Sequence, residues 1–198
     1  PFVMFNVTMQ NHNPYTKKSS FKEPIKVTSF QADPEVEQYL SLIHESDAAL
    51  QKLIAYYEKQ PKQAVIVSFG DHQPHLPDSF YFQMTGKIPA GFTKEEALKK
   101  YEIPFLIWAN YDITEKEIDH ISLNYLSTEM AVDTGQSMSA YQCFLQAMRQ
   151  KISSLSDNGC YDAEGRYYTL EEAPESMQQW IREYKILQYY MLFDGQER

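Results

Sequence analysis

The chain has 198 residues, enough for one domain or for one long part of a larger domain. Hydrophobic residues make up 43% of the chain and charged residues 23%, which is the balance of an ordinary globular protein. The net charge of -9 argues against a general nucleic-acid surface, and no apolar run approaches the roughly 20 residues that span a bilayer.

The first predicted element is a strand over residues 2–9, an apolar run that follows Pro1 directly. Pro1 is not an initiator methionine, and a natural terminus seldom opens inside a core strand. We therefore expect a piece of a longer protein, with any localisation signal upstream. Residues 16–32 are polar and irregular, and we expect a loop over the site.

The first predicted helix covers residues 33–59. Asp33 is a plausible N-cap and Pro34 suits the first helical position. An apolar stripe at helical spacing follows, and it consists of Val36, Leu40, Ile43, Leu50, Ile54 and Tyr57. Asp47 falls on this stripe, so we expect it to be buried and to tie down a neighbouring loop.

A second strand over residues 64–69 is continuously apolar and rich in β-branched residues, which favours burial on both faces of a parallel sheet. Gly70 ends the run, and Asp71 and His72 follow at once. The predicted order of elements over residues 2–69 is then β-α-β, which favours parallel strands that end at the same edge of the sheet. This order places His12 and the Asp71-His72 pair at neighbouring strand exits. A carboxylate and a neutral imidazole suit Zn²⁺, Mn²⁺ or Fe. The alternative is a turn carboxylate beside a partly buried histidine.

The rest of the chain is predicted to hold one more core strand and two long helices. These cover residues 103–109, 138–155 and 175–192. Cys160-Tyr161 and residues 167–169 are expected to pair as a hairpin. Cys143 and Cys160 are too few for a disulfide framework; Cys143 is expected in the core, and whether the two pair is left open.

The remaining histidines carry weaker predictions. His75 is either an exposed loop residue or a hydrogen-bond donor to one of the residues that bind the metal. His44 lies beside the apolar stripe and is expected to be structural, and His120 precedes a helical pattern and is expected to be solvated.

Taken together, several segments resemble the second half of lipoteichoic acid synthase-like sulfatases, which belong to the alkaline phosphatase superfamily. The Gly70-Asp71-His72 motif and the upstream His12 motif are fairly specific as a pair. The resemblance rests on residues 7–15, 46–50, 69–74, 103–108 and 184–193.

This resemblance implies an α/β fold, an α/β/α sandwich of the alkaline phosphatase and sulfatase type, of which residues 1–198 would be the C-terminal part. It implies Asp71 and His72 as ligands of a divalent metal, usually Mn²⁺, and His12 as the contact to the phosphate or sulfate group or as the leaving-group donor. Nothing in the chain matches the nucleophile of the family, so we expect that group in a missing N-terminal half of the domain.

The leading hypothesis is an enzyme: a metal-dependent phospho- or sulfo-ester hydrolase or a phosphoglycerol transferase. Its substrate would be an anionic ester of the cell envelope, such as a lipid-linked glycerol phosphate, and the piece alone would be inactive. No nucleic-acid partner is expected. The resemblance implies the outer face of a bacterial membrane, with membrane contact only through upstream segments.

Two alternatives remain open. The first is a non-catalytic domain of the same fold that binds an anionic polymer or a partner at the cell surface. The second is another branch of the superfamily, such as a phosphomutase or a nucleotide pyrophosphatase.

Overall fold

The computed structural model describes residues 2–16 and 19–194. Six α-helices and five strands occur in this part of the chain, besides short 3-10 turns. In chain order they are α1 (Pro34–Tyr57), β1 (Val65–Phe69), α2 (Asp78–Thr85), α3 (Lys94–Leu98), β2 (Phe105–Ala109), α4 (Leu126–Asp133), α5 (Ala140–Arg149), β3 (Ile152–Ser156), β4 (Gly159–Asp162), β5 (Tyr167–Tyr168) and α6 (Glu175–Tyr189). A π-helical turn, Tyr190–Asp194, continues α6.

Helix α1 begins where the sequence predicts it. Pro34 occupies the first turn, and the acidic side chains of Glu35 and Glu37 lie at the positive end of the helix dipole. The helix buries Val36, which packs with Tyr15 and Leu76 in a small core of its own. This core joins α1 to the loops on either side of it.

Strands β1 and β2 form a two-stranded antiparallel sheet in which Val65 lies opposite Ala109 and Phe69 lies opposite Phe105. Their residues are partly exposed rather than buried on both faces, which corrects the prediction for β1. Asn110 holds the sheet to α1. Its side-chain oxygen accepts from the backbone N–H of Ala64 at 2.8 Å, and its amide nitrogen donates to the carbonyl of Tyr57 at 3.0 Å.

The predicted strand over residues 2–9 is wrong: this segment has no strand pairing. Its apolar side chains stand in solvent, with Val3 97% exposed and Phe5 76% exposed. An apolar pattern favours a strand only where an edge is present to satisfy the backbone. The β-α-β unit predicted for residues 2–69, with parallel strands, is therefore also absent from the described residues.

The predicted helix over 138–155 is too long. Helix α5 starts with a capping box between Ser139 and Gln142 and ends at Arg149. Residues Ile152–Ser156 then form β3, because serine and β-branched residues favour helices weakly and β4 offers a partner strand. The predicted hairpin is present, since β4 pairs antiparallel with β5.

The main core lies between α5, α6 and this three-stranded sheet. Its buried residues are Tyr125, Leu145, Met148, Ile152, Cys160, Ala173, Met177 and Ile181. Cys160 is buried and Cys143 is exposed, and both are free thiols. The prediction that Cys143 is a core residue is therefore wrong.

Candidate metal and phosphate site

The turn after β1 carries the two predicted metal ligands. Gly70 passes close to Ile103, so that a Cβ at position 70 would lie 3.3 Å from the Ile103 Cβ. The chain then turns into solvent. The side chain of Asp71 is 81% exposed and that of His72 is 61% exposed.

His12 lies next to this turn. The ring centroids of His12 and His72 are 6.5 Å apart, and the two rings meet edge to face. The structure therefore brings His12, Asp71 and His72 together, although the described residues do not form the parallel strands from which this was predicted. His75 is exposed nearby, and His44 is half-buried on α1.

Both imidazoles are held in one tautomer. The Nδ1 of His12 donates to the carbonyl of Asn13 at 2.7 Å, and the Nδ1 of His72 donates to the carbonyl of Gln73 at 2.9 Å. A carbonyl can only accept, so the proton of each neutral ring lies on Nδ1. Each Nε2 then keeps a lone pair, which is the arrangement that metal-binding histidines use.

The Nε2 of His72 lies 3.4 Å from the Oδ2 of Asp71. Two ligand atoms that bind one ion at about 2.1 Å are separated by roughly 3.0 Å in octahedral and 3.4 Å in tetrahedral geometry. The pair therefore fits two corners of one coordination sphere. Because both groups face solvent, an ion pair between them, which would require a protonated His72, would contribute little to stability.

Helix α1 positions His12 through Ser46. The Ser46 hydroxyl accepts from the side-chain amide of Asn11 at 2.9 Å and from that of Gln10 at 3.0 Å. The hydroxyl of Tyr15 donates to the Asn11 carbonyl at 2.8 Å from the other side. The prediction assigned this tethering role to Asp47, which is in fact exposed. Sequence reasoning missed Ser46, although the amide-rich turn before His12 was a signal for a hydroxyl partner.

The loop that follows the His12 turn packs on the same helix. The backbone N–H of Ile25 donates to Ser41 Oγ at 2.9 Å, and Ser41 is only 2% exposed. An open groove of about 560 Å³ separates this loop from α1, and Tyr15, Phe21 and Pro77 are part of its wall. Tyr15, which lines this groove, lies three residues after His12 in the chain.

Within residues 2–16 and 19–194, no three side chains of the metal-binding types are gathered closely enough to hold a metal ion. Among these residues, the predicted ligands Asp71 and His72 therefore have no third candidate ligand gathered beside them. In the same residues, no helix is long and apolar enough to cross a membrane.

The fold is that of the alkaline phosphatase and sulfatase type. It matches a structure of the Streptococcus pyogenes phosphoglycerol transferase GacH in complex with sn-glycerol-1-phosphate. The TM-score is 0.65 and the sequence identity 19%, over 92% of this chain and 42% of that one.

The family model described as Sulfatase matches residues 1–135, and the chain belongs to this family. This confirms the resemblance on which the sequence interpretation rests. The chain is also 28% identical over 211 aligned positions to a Rhizobium meliloti protein described as "Putative cyclic beta-1,2-glucan modification protein". That match covers 98% of this chain and 31% of the relative, so the chain spans about a third of the relative's length.

Proposed function

We propose that this chain supplies one half of a metal-dependent site that transfers phosphoglycerol, or hydrolyses a phospho- or sulfo-ester, in the bacterial cell envelope. The observation that carries the proposal is the meeting of His12, His72 and Asp71 at the exit of β1, with the proton of each neutral imidazole on Nδ1 and a lone pair on Nε2. Family membership supports transfer of a phosphoryl or sulfuryl group in general terms.

Asp71 and His72 would hold the cation through Oδ2 and Nε2. An oxygen and a nitrogen donor suit Zn²⁺, Mn²⁺ or Fe, and we propose Mn²⁺ because it is the ion that the family resemblance implies. When bound, a divalent ion offsets negative charge on the transferred group and lowers the pKa of a coordinated hydroxyl. In a chain of net charge -9, it would also provide the positive field that an anionic ester requires.

His12 has a different role. Its Nδ1 proton is engaged by the Asn13 carbonyl, which leaves Nε2 to take up a proton and pass it on. A protonated His12 would donate to an anionic oxygen of the ester or to the leaving alkoxide. The proposed nucleophile and the other ligands belong to sequence outside this chain.

The comparisons also bear on the substrate. The neighbour GacH is described with sn-glycerol-1-phosphate, which supports an anionic glycerol phosphate as the donor. The name of the R. meliloti relative refers to modification of a glucan, which supports a saccharide as the acceptor. Both observations concern other proteins, so for this chain we propose the glycerol phosphate donor and the saccharide acceptor.

The test compares Asp71→Asn and His72→Ala with Asp47→Asn in the complete protein that carries this chain. Changes to residues that only hydrogen-bond to a metal ligand already lower metal affinity about 10- to 100-fold, so loss of a direct ligand should cost about 100-fold or more. We expect this loss in Mn²⁺ affinity, and loss of turnover at limiting Mn²⁺, for both site variants. Asp47→Asn, an exposed carboxylate on α1, should behave as wild type.

Wild-type Mn²⁺ affinity in either site variant would refute the ligand assignment. Intact Mn²⁺ binding without turnover on any phosphate or sulfate ester, together with retention of an anionic polymer, would instead support the non-catalytic alternative.

A further inference from the structure

His120 and Tyr161 form a stacked pair of aromatic rings on the surface, with ring centroids 5.9 Å apart and planes only 7° from parallel. The ring of Tyr167 lies next to Tyr161, with centroids 5.6 Å apart and planes tilted by 60°. The side chain of His120 is 54% exposed, so the outer face of the stack is open to solvent. We call these three residues the aromatic platform.

Carboxylates border the platform. The Oε1 of Glu102 lies 3.9 Å from the Nδ1 of His120, and the Glu102 side chain is 48% exposed. Burial, together with the nearby negative charges of Glu95 and Glu102, raises the pKa of Tyr161. The border therefore offers hydrogen-bond acceptors and disfavours anionic ligands.

The platform is linked to the metal-binding turn through the β1–β2 sheet. Because Phe69 lies opposite Phe105, the residues after β1 run beside the residues before β2. The side-chain amide of Gln73 donates to the backbone carbonyl of Glu102. One residue therefore separates the proposed ligand His72 from the segment that contacts His120.

We propose that the aromatic platform binds a neutral saccharide, the acceptor of the group that the neighbouring site transfers. This inference rests on the proposed function and adds the location of the acceptor. The apolar C–H face of a sugar ring packs well on a flat, partly exposed aromatic ring, since the ring is both apolar and amphipathic. Its hydroxyl groups would donate to Glu102 and Glu95, which can only accept.

The geometry favours a saccharide over a cation. A cage for an ammonium group surrounds the ion with several ring faces, whereas His120 and Tyr161 cover each other and present one open plane. The acidic border disfavours a nucleic acid or a polyphosphate.

The test is an NMR titration of the full chain with a neutral β-linked glucan oligosaccharide. His120→Ala removes the open ring and should weaken binding about five- to tenfold, the effect of one aromatic contact. His120→Phe keeps the ring and should retain wild-type affinity. Tyr56→Ala removes an equally exposed ring that also contacts another tyrosine, on α1, and serves as the matched control.

Absence of glucan binding, or equal affinity in wild type and His120→Ala, would overturn the proposal. So would a trimethylammonium probe that binds instead and is lost in Glu102→Gln. The Mn²⁺ affinity of Asp71→Asn is measured in parallel, so that failure of the metal site and failure of the acceptor surface are read from different titrations. The expected result is glucan affinity that depends on His120, not on Asp71, and that does not change with salt.

Discussion

Replacement of Ser46 by alanine tests how helix α1 places His12. The Ser46 hydroxyl is the shared hydrogen-bond partner of the Gln10 and Asn11 side chains. Among the described residues, no other side chain of α1 forms a hydrogen bond to that turn. Each net hydrogen bond contributes about 0.5–1.5 kcal/mol. The bond to Gln10 is exposed and the Asn11 bonds are partly buried, so the turn should lose about 1–2 kcal/mol, or a factor of about 5–30 in its ordered population.

Two features limit the effect to this turn. The hydroxyl of Tyr15 still donates to the Asn11 carbonyl in the variant, so the turn remains attached. Alanine also has a higher helix propensity than serine, which offsets part of the loss within α1. The free energy of global unfolding should therefore change by less than about 1 kcal/mol.

Amide hydrogen exchange at His12 measures the ordering directly, because its N–H donates to the Met9 carbonyl at 3.1 Å. We expect this amide to exchange about 5- to 30-fold faster in Ser46→Ala. In the complete protein, kcat should fall by a similar factor while Mn²⁺ affinity stays constant, since Asp71 and His72 belong to another element. Ser46→Thr keeps the hydroxyl and should restore both values.

Ser41→Ala is the matched control, because Ser41 lies on the same helix but supports the neighbouring loop at Ile25. It should destabilise the chain without changing exchange at His12. If Ser46→Ala leaves both His12 exchange and turnover at wild-type values, the positioning argument is wrong.

Three further predictions concern stability and reactivity. Asn110→Ala should lower the free energy of unfolding in urea by about 2–4 kcal/mol, because the carbonyl of Tyr57 at the end of α1 and the N–H of Ala64 just before β1 both lose their partner; a change below about 0.5 kcal/mol would contradict this. Cys143 should react at once with a thiol reagent near neutral pH, whereas Cys160, buried and with its pKa raised by burial to about 11, should react only on unfolding; two fast thiols would be the contrary result. Burial opposes ionisation of Asp162, but hydrogen bonds from Arg166 outweigh it and lower the pKa of that carboxyl below its unfolded value. The stabilisation that ionised Asp162 contributes should be complete above about pH 4 and be lost as the pH falls through the folded pKa of this carboxyl. The loss of unfolding free energy in Asp162→Asn, measured in urea, should therefore become smaller in acid. A loss that becomes larger in acid would refute the lowered pKa.

Local signals allowed much of the N-terminal half to be predicted. Pro34 and the acidic first turn gave the start of α1, and the apolar run before Gly70 gave β1. These signals act within a few residues of the element that they specify. The pairing of β1 with β2 does not, because direction and register depend on contacts between residues about 40 positions apart.

Two errors have the same physical origin. The apolar pattern of residues 2–9 matches a strand, but a strand also needs a neighbouring edge. The apolar spacing of Ile152 and Leu155 continues the stripe of α5, yet pairing with β4 turns these residues into β3. In both segments tertiary contacts, or their lack among the described residues, outweigh the local pattern.

The sequence allowed the residues of the candidate site to be predicted, but not the contacts by which the fold brings them together. Asp71 and His72 follow Gly70 directly, and such a break after an apolar strand marks a strand exit. The approach of His12 was predicted from parallel strands, which the described residues do not form; the hydrogen bond between Ser46 and Asn11 positions the His12 turn instead. A hydroxyl shared by two amides has no periodic signature, so sequence reasoning favoured Asp47.

The β1–β2 ribbon has a thermodynamic consequence for the turn at its end. Among the described residues each strand pairs only with the other, and a two-stranded ribbon alone is marginally stable in water. Any polypeptide edge that docked on β1 would hold Asp71 and His72 in a narrower range of positions and so tighten cation binding. Because linkage is reciprocal, the cation would increase the affinity of that docking by the same factor. The affinity for the ion and the affinity for the added strand would therefore change together.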